Sequence, residues 1–328
     1  MNTTADIAPR SSSELLQGIQ QQISSVIVGQ CNLVNRLLLA LLCDGHVLVE
    51  GIPGVAKTLT VNCLAQSLKA EFNRVQFTPD LLPGDLIGTQ IYNPQTNTFS
   101  VEKGPIFTNI LLADEINRAP AKVQSALLES MQEKQVTIGR QSFALPKPFL
   151  VLATQNPTEQ EGTYELPEAQ IDRFMFKISV TYPTFEEEHL VLKRMACSNP
   201  VTQVDPVVDL QEIVSLREGL DQIYLSEELE RYILHIVHAT RHPEKYELPD
   251  LQEFIRFGAS PRATIYIAKA ARGHALMAGR DTVLPDDIKS VVPDIVRHRL
   301  ALNYKAEASG INSDKIIDQL LRAVAIRS

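Results

Sequence analysis

One segment of the chain combines glycines, a lysine and a threonine in the order that phosphate binding requires. It reads Gly-Ile-Pro-Gly-Val-Ala-Lys-Thr over residues 51–58. A short apolar run precedes it and a predicted helix, residues 57–68, follows it, so backbone N–H groups and a helix N-terminus would face an anion. Lys57 is expected to reach the β- and γ-phosphates of a nucleotide, and the Thr58 hydroxyl is expected to bind Mg²⁺. The general motif has glycine before the lysine, whereas Ala56 here adds one methyl group near the helix start.

Two neighbouring carboxylates end a second apolar run, Ile110–Asp114 followed by Glu115. Carboxylates at the end of a buried strand are costly unless they meet a cation or ordered water. Because a phosphate-binding loop precedes them, Asp114 is expected to hold Mg²⁺ through water. Glu115 is expected to orient and deprotonate the water that attacks the γ-phosphate. Without that loop, the same pair would be interpreted as a solvated strand end.

Three further polar residues could complete such a site. Asn156 follows a predicted strand and could hydrogen-bond the attacking water, although Asn156-Pro157 could equally begin a turn. Arg173 could stabilise charge on the transferring phosphoryl group as an arginine finger, or it could pair with a local acid on the surface. Arg262 begins a predicted helix, where a cation opposes the helix dipole. A bound anion would explain that placement better than a structural salt bridge, which stays open.

The predicted secondary structure, which must position these residues, changes near residues 181–194 from alternating strands and helices to helices alone. Before that point, short β-rich apolar runs alternate with helical stretches, and parallel strands need such crossover connections. The predicted strands are Val47–Glu50, Arg74–Phe77, Ile110–Asp114, Phe149–Thr154 and Phe174–Val180. Beyond it, apolar residues at three- and four-residue spacing predict helices at 227–240, 261–278, 285–299 and 313–326. The sequence therefore predicts an α/β domain with a mostly parallel sheet, followed by an all-helical domain.

Two β-hairpins are predicted within the α/β part. Residues 136–138 and 142–145 alternate apolar and polar side chains around Gly139-Arg140, a spacing suited to a tight turn. Residues 90–92 and 98–101 do the same around residues 93–97. These hairpins are either decorations at the edge of the fold or levers that contact a partner.

Composition limits the class of protein. The chain has 328 residues, 44% of them apolar, with 31 Lys and Arg against 39 Asp and Glu. This excludes a mainly disordered chain, and the net charge of −8 argues against a dedicated DNA-binding protein. The longest apolar run, Leu37–Cys43, is too short to span a membrane. Residues 1–13 are polar and predict a short disordered tail on a cytoplasmic protein.

The cysteines and histidines do not form a strong metal-binding pattern. The four cysteines lie far apart and are interpreted as reduced core residues. His235, His238 and His242 could share one face of a helix, but no cysteine or carboxylate accompanies them at a ligand spacing. A metal site on that helix is therefore the less favoured interpretation.

In this order, the loop, the paired carboxylates, Asn156, Arg173 and Arg262 resemble the Walker A, Walker B, sensor 1, arginine finger and sensor 2 elements of an AAA+ ATPase. Four strings narrow the resemblance to the MoxR family, in which alanine before the Walker A lysine is usual. These strings are Gly51–Thr58, Ala113–Pro120, Gln124–Glu133 and Leu166–Phe174. The resemblance covers essentially the whole chain after the tail. It implies an α/β fold, namely a P-loop AAA+ core with a parallel five-stranded sheet, helices on both faces and β-hairpin inserts, followed by an all-helical lid domain.

The resemblance also assigns residues. Ile27-Val28-Gly29-Gln30 resembles the AAA+ segment that lines the adenine pocket, although any helix that ends in glycine could have this string. Catalytic roles are implied for Glu115, Asn156, Arg173 and Arg262, and Mg²⁺ ligands are implied at Thr58 and Asp114. The implied ATP-binding residues are Val28, Gly51, Ile52, Pro53, Gly54, Val55, Ala56, Lys57, Thr58 and Leu59.

The implied domain order follows the change in sequence character. A tail covers residues 1–13, and the ATPase core covers 14–183. A linker at 184–205 begins with three glutamates, 186–188, that predict a solvated helix start, and the helical lid covers 206–328.

The implied activity is ATP hydrolysis coupled to chaperone-like remodelling or maturation of protein clients, with metal insertion into a client enzyme as one form. ATP with Mg²⁺ would lie between the two domains. The subunits would form a homo-oligomeric ring, usually a hexamer, in which Arg173 comes from a neighbouring subunit. Whether Arg262 acts on its own subunit's nucleotide or on a neighbour's stays open. The resemblance also suggests a partner with a von Willebrand factor A domain.

Two alternative functions remain. Helicases of the MCM type share the hairpin inserts, so a nucleic-acid motor is one alternative. Its hairpins should carry basic or aromatic tips, but residues 93–97 are uncharged and the second tip offers only Arg140. Nucleic acid is therefore not the expected partner. The other alternative is a nucleotide-gated scaffold with little turnover, which the intact Glu115 argues against.

Overall fold

The structure is a computed structural model that describes residues 12–52, 54–156 and 163–325. Most of the predicted tail, residues 1–11, lies outside the described residues. The last two residues of that predicted tail, Ser12 and Ser13, instead form the start of the first helix. Across the described ranges, no helix has both the length and the apolar composition needed to cross a membrane.

A five-stranded parallel sheet lies at the centre of the fold, with the strand order β2-β5-β8-β1-β9. All five strands were predicted, and each lies within two residues of the expected position. The three inner strands are almost wholly buried, as expected for parallel strands covered on both faces. The strands are β1 Val47–Gly51, β2 Phe72–Gln76, β3 Gly88–Asn93, β4 Thr98–Lys103, β5 Ile110–Asp114, β6 Gln135–Ile138, β7 Gln141–Ala144, β8 Leu150–Gln155, β9 Phe176–Val180, β10 Ile255–Phe257 and β11 Ala301–Leu302.

Helices cover both faces of this sheet and make up most of the C-terminal part. The four predicted C-terminal helices are confirmed as α9, α11, α12 and α14. Short 3₁₀ turns occur at Ile116–Arg118, Leu220–Gln222, Pro243–Tyr246 and Arg297–Arg299. The helices are α1 Ser12–Val26, α2 Cys31–Leu42, α3 Lys57–Ser67, α4 Pro83–Ile87, α5 Ala121–Glu133, α6 Glu168–Ile171, α7 Phe185–Met195, α8 Leu210–Gly219, α9 Glu227–Ala239, α10 Pro249–Gln252, α11 Pro261–Met277, α12 Pro285–Val296, α13 Tyr304–Ala308 and α14 Ser313–Ala323.

Three two-stranded antiparallel sheets accompany the central sheet. Two of them, β3–β4 and β6–β7, are the predicted hairpins. The third pairs β10 with β11 inside the part of the chain that was predicted to be all-helical. Its strands have three and two residues, so they are too short to show a two-residue alternation in the sequence.

The hydrophobic core has one cluster on each face of the central sheet. Alternate residues of each strand point to opposite faces. In β5, for example, Leu111 joins the cluster around α5, whereas Ile110 and Leu112 join the larger cluster that includes α1, α2 and the C-terminal helices. The sheet and the C-terminal helices therefore share one continuous core.

A buried ion-pair network also joins these two parts. The Arg36 Nε of α2 donates to Asp294 Oδ2 of α12 at 2.7 Å, and the two side chains are only 7% and 8% exposed. The Arg36 guanidinium lies 5.8 Å from the centre of the Phe176 ring in β9. Arg297 donates both to Asp294 Oδ1 and to the Lys177 carbonyl of β9. Because a buried charge is costly unless it is paired, this network holds the C-terminal helices against the sheet.

We expect Arg36→Ala to lower the free energy of unfolding by about 3 kcal/mol, because it leaves Asp294 buried with one cation fewer. Urea unfolding of the two proteins measures the difference. The matched control is Arg231→Ala, which removes an ion pair whose side chains are 67% and 76% exposed. That change should cost less than about 1 kcal/mol. Equal losses in the two variants would contradict the structural role of the buried pair.

Candidate active site

The phosphate-binding loop connects β1 to α3, as its sequence predicted. Gly54 and Ala56 both have left-handed backbone conformations, with φ of 85° and 58°. Apart from Gly54 and its chain neighbours, no described residue has a heavy atom within 4 Å of the position that a Cβ on Gly54 would take, so the turn is open there. Ala56 is the N-cap of α3, and no side chain in the described part caps that helix end. The first N–H groups of α3 are therefore available to an anion.

The loop opens into a cavity of about 600 Å³ at the carboxyl edge of the central sheet. We call it the first cavity. Nearly all of the predicted nucleotide and metal residues line it, together with Glu115 and Asn156. Ile52 does not line it and packs against the core, and Pro53 lies outside the described residues. The lining residues are Val26, Ile27, Val28, Gly51, Gly54, Val55, Ala56, Lys57, Thr58, Leu59, Arg74, Gln76, Asp114, Glu115, Thr154, Gln155, Asn156, Val191, Arg194 and Met195.

Lys57 lies inside the loop with its ammonium group already partnered. Its Nζ donates to the Gly51 carbonyl at 2.7 Å. Burial lowers the pKa of Lys57, while the nearby carboxylates of Asp114 and Glu115 oppose that change. A phosphate oxygen could replace the carbonyl as the acceptor, so the lysine is positioned to exchange one hydrogen bond for a charge-assisted one.

The two carboxylates at the end of β5 are held by neighbouring strands. Asp114 Oδ1 accepts from Thr154 Oγ1 of β8 at 2.6 Å, and Asp114 Oδ2 accepts from Arg74 Nη2 of β2 at 2.6 Å. Glu115 Oε2 accepts from Gln76 Nε2 of β2 at 2.7 Å and from Arg118 Nη1 at 3.1 Å. Both carboxylates therefore have polar partners and are fixed at the edge of the sheet.

Glu115 also has an unusual backbone conformation. Its φ is 57°, in the left-handed region that residues with a Cβ rarely adopt. Its N–H donates to Thr154 Oγ1 at 2.8 Å, which helps to hold this conformation. Such local strain is concentrated at functional sites in proteins.

Three residues of this site were missed in the sequence, namely Arg74, Gln76 and Thr154. The two β2 residues are separated by one position, so they point to the same face and reach the neighbouring β5. For these two, the available signal was a polar residue at every second position of the predicted strand Arg74–Phe77. It could not be used without the strand order, which the sequence alone did not establish.

Part of the first cavity is formed by α7, a helix within the predicted linker at 184–205. Val191, Arg194 and Met195 of this helix line the cavity together with Val26–Val28. Arg194 Nη1 donates to the Ser24 and Ser25 carbonyls at 3.0 and 2.9 Å, near the C-terminal end of α1. A cation is favourable at that end of a helix. The apolar side chains that line this part of the cavity suit a flat aromatic base. They are those of Val26, Ile27, Val28, Val191 and Met195.

Arg173 and Arg262 do not line the first cavity. They line a second cavity of about 160 Å³, together with Asp44, His46, Met131, Gln132, Lys134 and Tyr266. Arg262 Nη1 donates to Asp172 Oδ2 at 3.1 Å, so the salt bridge considered from the sequence is present. Burial raises the pKa of the Asp172 carboxyl, but Arg299, Ser260 and Arg262 outweigh it and hold that pKa below its usual range. None of the ion pairs found within the described ranges includes Arg173.

In the described residues, no three His, Cys, Asp or Glu side chains converge to hold a metal ion. The His235 ring instead forms a hydrogen bond of 2.9 Å with the Tyr246 hydroxyl. His238 and His242 lie with their ring centres 4.9 Å apart. These contacts are those of an ordinary helix surface.

Known protein families match both the α/β part and the C-terminal helical part of the chain. Residues 46–176 match the model of the ATPase family associated with various cellular activities (AAA), and residues 250–320 match the AAA lid domain. The chain is 50% identical to Chaperone MoxR1 of Mycobacterium tuberculosis, over 93% of this chain and 80% of that protein. It is 44% identical to the YeaC protein of Bacillus subtilis, over 95% of each chain. It is also 31% identical to protein MoxR of Paracoccus denitrificans, over 86% of this chain and 87% of that protein.

A solved structure has the same architecture. The crystal structure of a proposed ATPase from Cytophaga hutchinsonii superimposes with a TM-score of 0.91 at 51% sequence identity. The superposition covers 97% of this chain and 96% of that one. The described fold is therefore that of a close relative along almost its whole length.

We expect Arg194→Ala to speed the release of a bound nucleotide about tenfold, because it removes two charge-assisted hydrogen bonds that hold α7 over the first cavity. Displacement of a fluorescent ATP analogue in a stopped-flow instrument measures this rate. Lys193→Ala is the matched control, since Lys193 is the exposed neighbour on the same helix. An Arg194→Ala protein that releases nucleotide at the wild-type rate would show that this contact does not hold α7 closed.

Proposed function

The chain belongs to the MoxR family of AAA+ ATPases, and from this premise we propose that it hydrolyses ATP to remodel a protein client. One observation carries the proposal. The phosphate-binding loop, the paired carboxylates and Asn156 come from three different strand ends and line the same cavity. In open sheets of this kind, ligands bind at the carboxyl ends of the strands. The backbone of residues 51–59 and Val28 would contact the nucleotide, with Val28 on the side of the base.

The residues in this cavity suit a magnesium ion. Hard cations prefer oxygen ligands, and Thr58 and Asp114, which carry a hydroxyl and a carboxylate, both line this cavity. Bound there, Mg²⁺ would neutralise charge on the β- and γ-phosphates. Asp114 is held by Thr154, so it would act through its fixed position and its negative charge.

Glu115 is the proposed general base. Its carboxylate lies beside the loop, and Gln76 and Arg118 both donate to Oε2. Oε1 is therefore left to accept from the attacking water. Asn156 would hold that water with a neutral amide, which adds no charge beside the phosphate. Lys57 would bind the phosphate oxygens once it leaves the Gly51 carbonyl.

Arg173 and Arg262 are proposed to act on the nucleotide of a neighbouring subunit. Neither arginine lines the first cavity, and both line the second. A ring in which the second cavity of one subunit faces the first cavity of the next would bring them to the γ-phosphate. For Arg262, this favours action in trans, which the sequence left open. We propose a hexamer, as the family resemblance implies.

The proposed client is protein. The hairpin β3–β4 exposes three apolar side chains, Ile91, Tyr92 and Phe99, the last at 67%. Its turn, residues 93–97, has no charge to attract a phosphate backbone. This surface therefore favours an apolar protein segment over nucleic acid. A partner with a von Willebrand factor A domain is proposed from the family resemblance alone.

The division of the chain into domains is also proposed from the family resemblance. It places the core at 14–183, the linker at 184–205 and the lid at 206–328.

We expect Glu115→Gln to lower the rate of ATP hydrolysis by about 10²- to 10⁴-fold, because the amide cannot accept the proton of the attacking water. ATP affinity should remain within about threefold of wild type, since the change keeps the shape of the side chain and its hydrogen bond to Gln76 or Arg118 can be replaced. Phosphate release and equilibrium binding of ATP measure the two effects.

Glu230→Gln is the control for this experiment, since it makes the same chemical change at an exposed position on α9. It should leave both quantities unchanged. A nucleotide-gated scaffold predicts a different result, namely slow and equal hydrolysis by wild type and Glu115→Gln. That outcome would overturn the proposed ATPase motor.

A further inference from the structure

The second cavity is lined by more positive than negative charge. Lys134, Arg173 and Arg262 lie around it, and the only carboxylate among its described lining residues is that of Asp44. Asp44 is itself shared, because its Oδ1 accepts from Lys134 Nζ at 3.0 Å and from Arg217 Nη1 at 2.9 Å. Arg262 donates to Asp172, a carboxylate outside the lining that also pairs with Arg299. Since the whole chain carries a net charge of −8, three cations around one small cavity indicate a local site for an anion.

Two titratable groups remain in the lining. Burial raises the pKa of the Tyr266 hydroxyl, which stays protonated and uncharged. The other group, His46, also adds no charge. Its Nδ1 accepts from the Val151 N–H at 3.0 Å, so its Nε2 carries the proton and donates to the Met131 carbonyl at 3.2 Å. Burial lowers the pKa of His46 to about 3, and the adjacent Lys134 adds to this effect. The imidazole is therefore neutral and adds neither positive nor negative charge to the cavity.

The backbone of Lys134 is fixed on both sides. Lys134 ends α5 with a left-handed φ of 54°, and its N–H donates to the Ser130 carbonyl at 3.0 Å. Its own carbonyl accepts from Leu145 N–H at 2.9 Å, just beyond β7. The hairpin and the helix thus hold the root of the side chain in one place beside the cavity.

We infer that Lys134 is a third phosphate-contacting cation, which each subunit presents, beside Arg173 and Arg262, to the γ-phosphate of ATP bound by its neighbour. The inference rests on the proposed function and deepens it. Lys134 belongs to none of the nucleotide-binding motifs in the sequence, and at the C-terminal end of α5 it resembles an ordinary cation that complements the helix dipole. What singles it out is that it lines the same cavity as the two arginines.

The contacts of Asp44 allow this role. The Asp44 side chain is 49% exposed, and exposed ion pairs are weak. When a phosphate enters, Lys134 can exchange the carboxylate for an acceptor of higher charge, and Asp44 keeps its hydrogen bond from Arg217. The exchange therefore leaves no carboxylate without a cation.

The test begins with Lys134→Met, which removes the charge and keeps the aliphatic stem. We expect ATP hydrolysis to fall about 10- to 100-fold, as for the loss of one charge-assisted hydrogen bond in the transition state. Lys134→Arg should retain most of the activity because it restores the charge. Lys122→Met, on an exposed position of the same helix, is the matched control and should hydrolyse ATP at the wild-type rate.

A mixing experiment then separates action in trans from a structural role. Glu115→Gln subunits cannot hydrolyse their own ATP but still present all three cations to a neighbour. Lys134→Met subunits have an intact first cavity but present only two cations, Arg173 and Arg262, to a neighbour. Mixed rings should therefore hydrolyse ATP faster than the mean of the two variants measured separately.

Two outcomes would overturn the inference. One is a Lys134→Met protein that is as active as wild type. The other is a mixture with no more activity than the mean, since the lysine would then act within its own subunit or only on its fold. Arg173→Ala, measured in the same assay, separates this inference from the proposed function. If Arg173→Ala hydrolyses ATP slowly and Lys134→Met does not, the proposed ring ATPase is supported and the role of Lys134 is wrong. A wild-type protein that does not hydrolyse ATP would overturn both the proposed function and this inference.

Discussion

The carboxyl edge of the parallel sheet is the constraint on which the rest of this structure depends. Parallel pairing sets the register of β1, β5 and β8, so their ends lie at the same edge. The chain leaves β1 into the phosphate-binding loop, leaves β5 at two carboxylates, and leaves β8 at Asn156. Each group is too polar to lie deeper in the sheet without partners. The hydrogen bonds from Arg74, Gln76 and Thr154 satisfy them at this edge and fix their positions.

A second constraint is the separation of charge within one subunit. The carboxylates and the loop lysine lie at the first cavity, whereas the three cations Lys134, Arg173 and Arg262 lie at the second. Two further cations line the first cavity, but Arg74 is paired with Asp114, and Arg194 donates to carbonyls at the end of α1. Lys57 is therefore the cation that the phosphate-binding loop itself offers to a γ-phosphate, and additional positive charge is proposed to come from a neighbouring subunit. Stabilisation of charge is the main contribution that a protein makes to phosphoryl transfer. On the proposed function, each subunit therefore holds half of a site, and ring assembly completes it.

Much of the fold could be predicted from sequence because local patterns match the final elements. The five strands of the central sheet are apolar runs, and the helices after residue 205 have a clear apolar period. The role of α7 could not be predicted, since none of its residues is fully buried and its contacts with the end of α1 are long-range. The site residues of β2 depend on the pairing of β2 with β5, which is a long-range contact. Lys134 is recognisable only after folding brings it to the same cavity as Arg173 and Arg262.

The most direct test of the shared site is the specific ATPase activity of the wild type and of Arg173→Ala over a wide range of protein concentration. The account predicts that the specific activity of the wild type rises with concentration to a plateau as rings form. It also predicts that Arg173→Ala stays low at every concentration, by a factor of about 10³ or more at the plateau. A wild-type specific activity that is constant on dilution, and that Arg173→Ala does not change, would contradict the shared site.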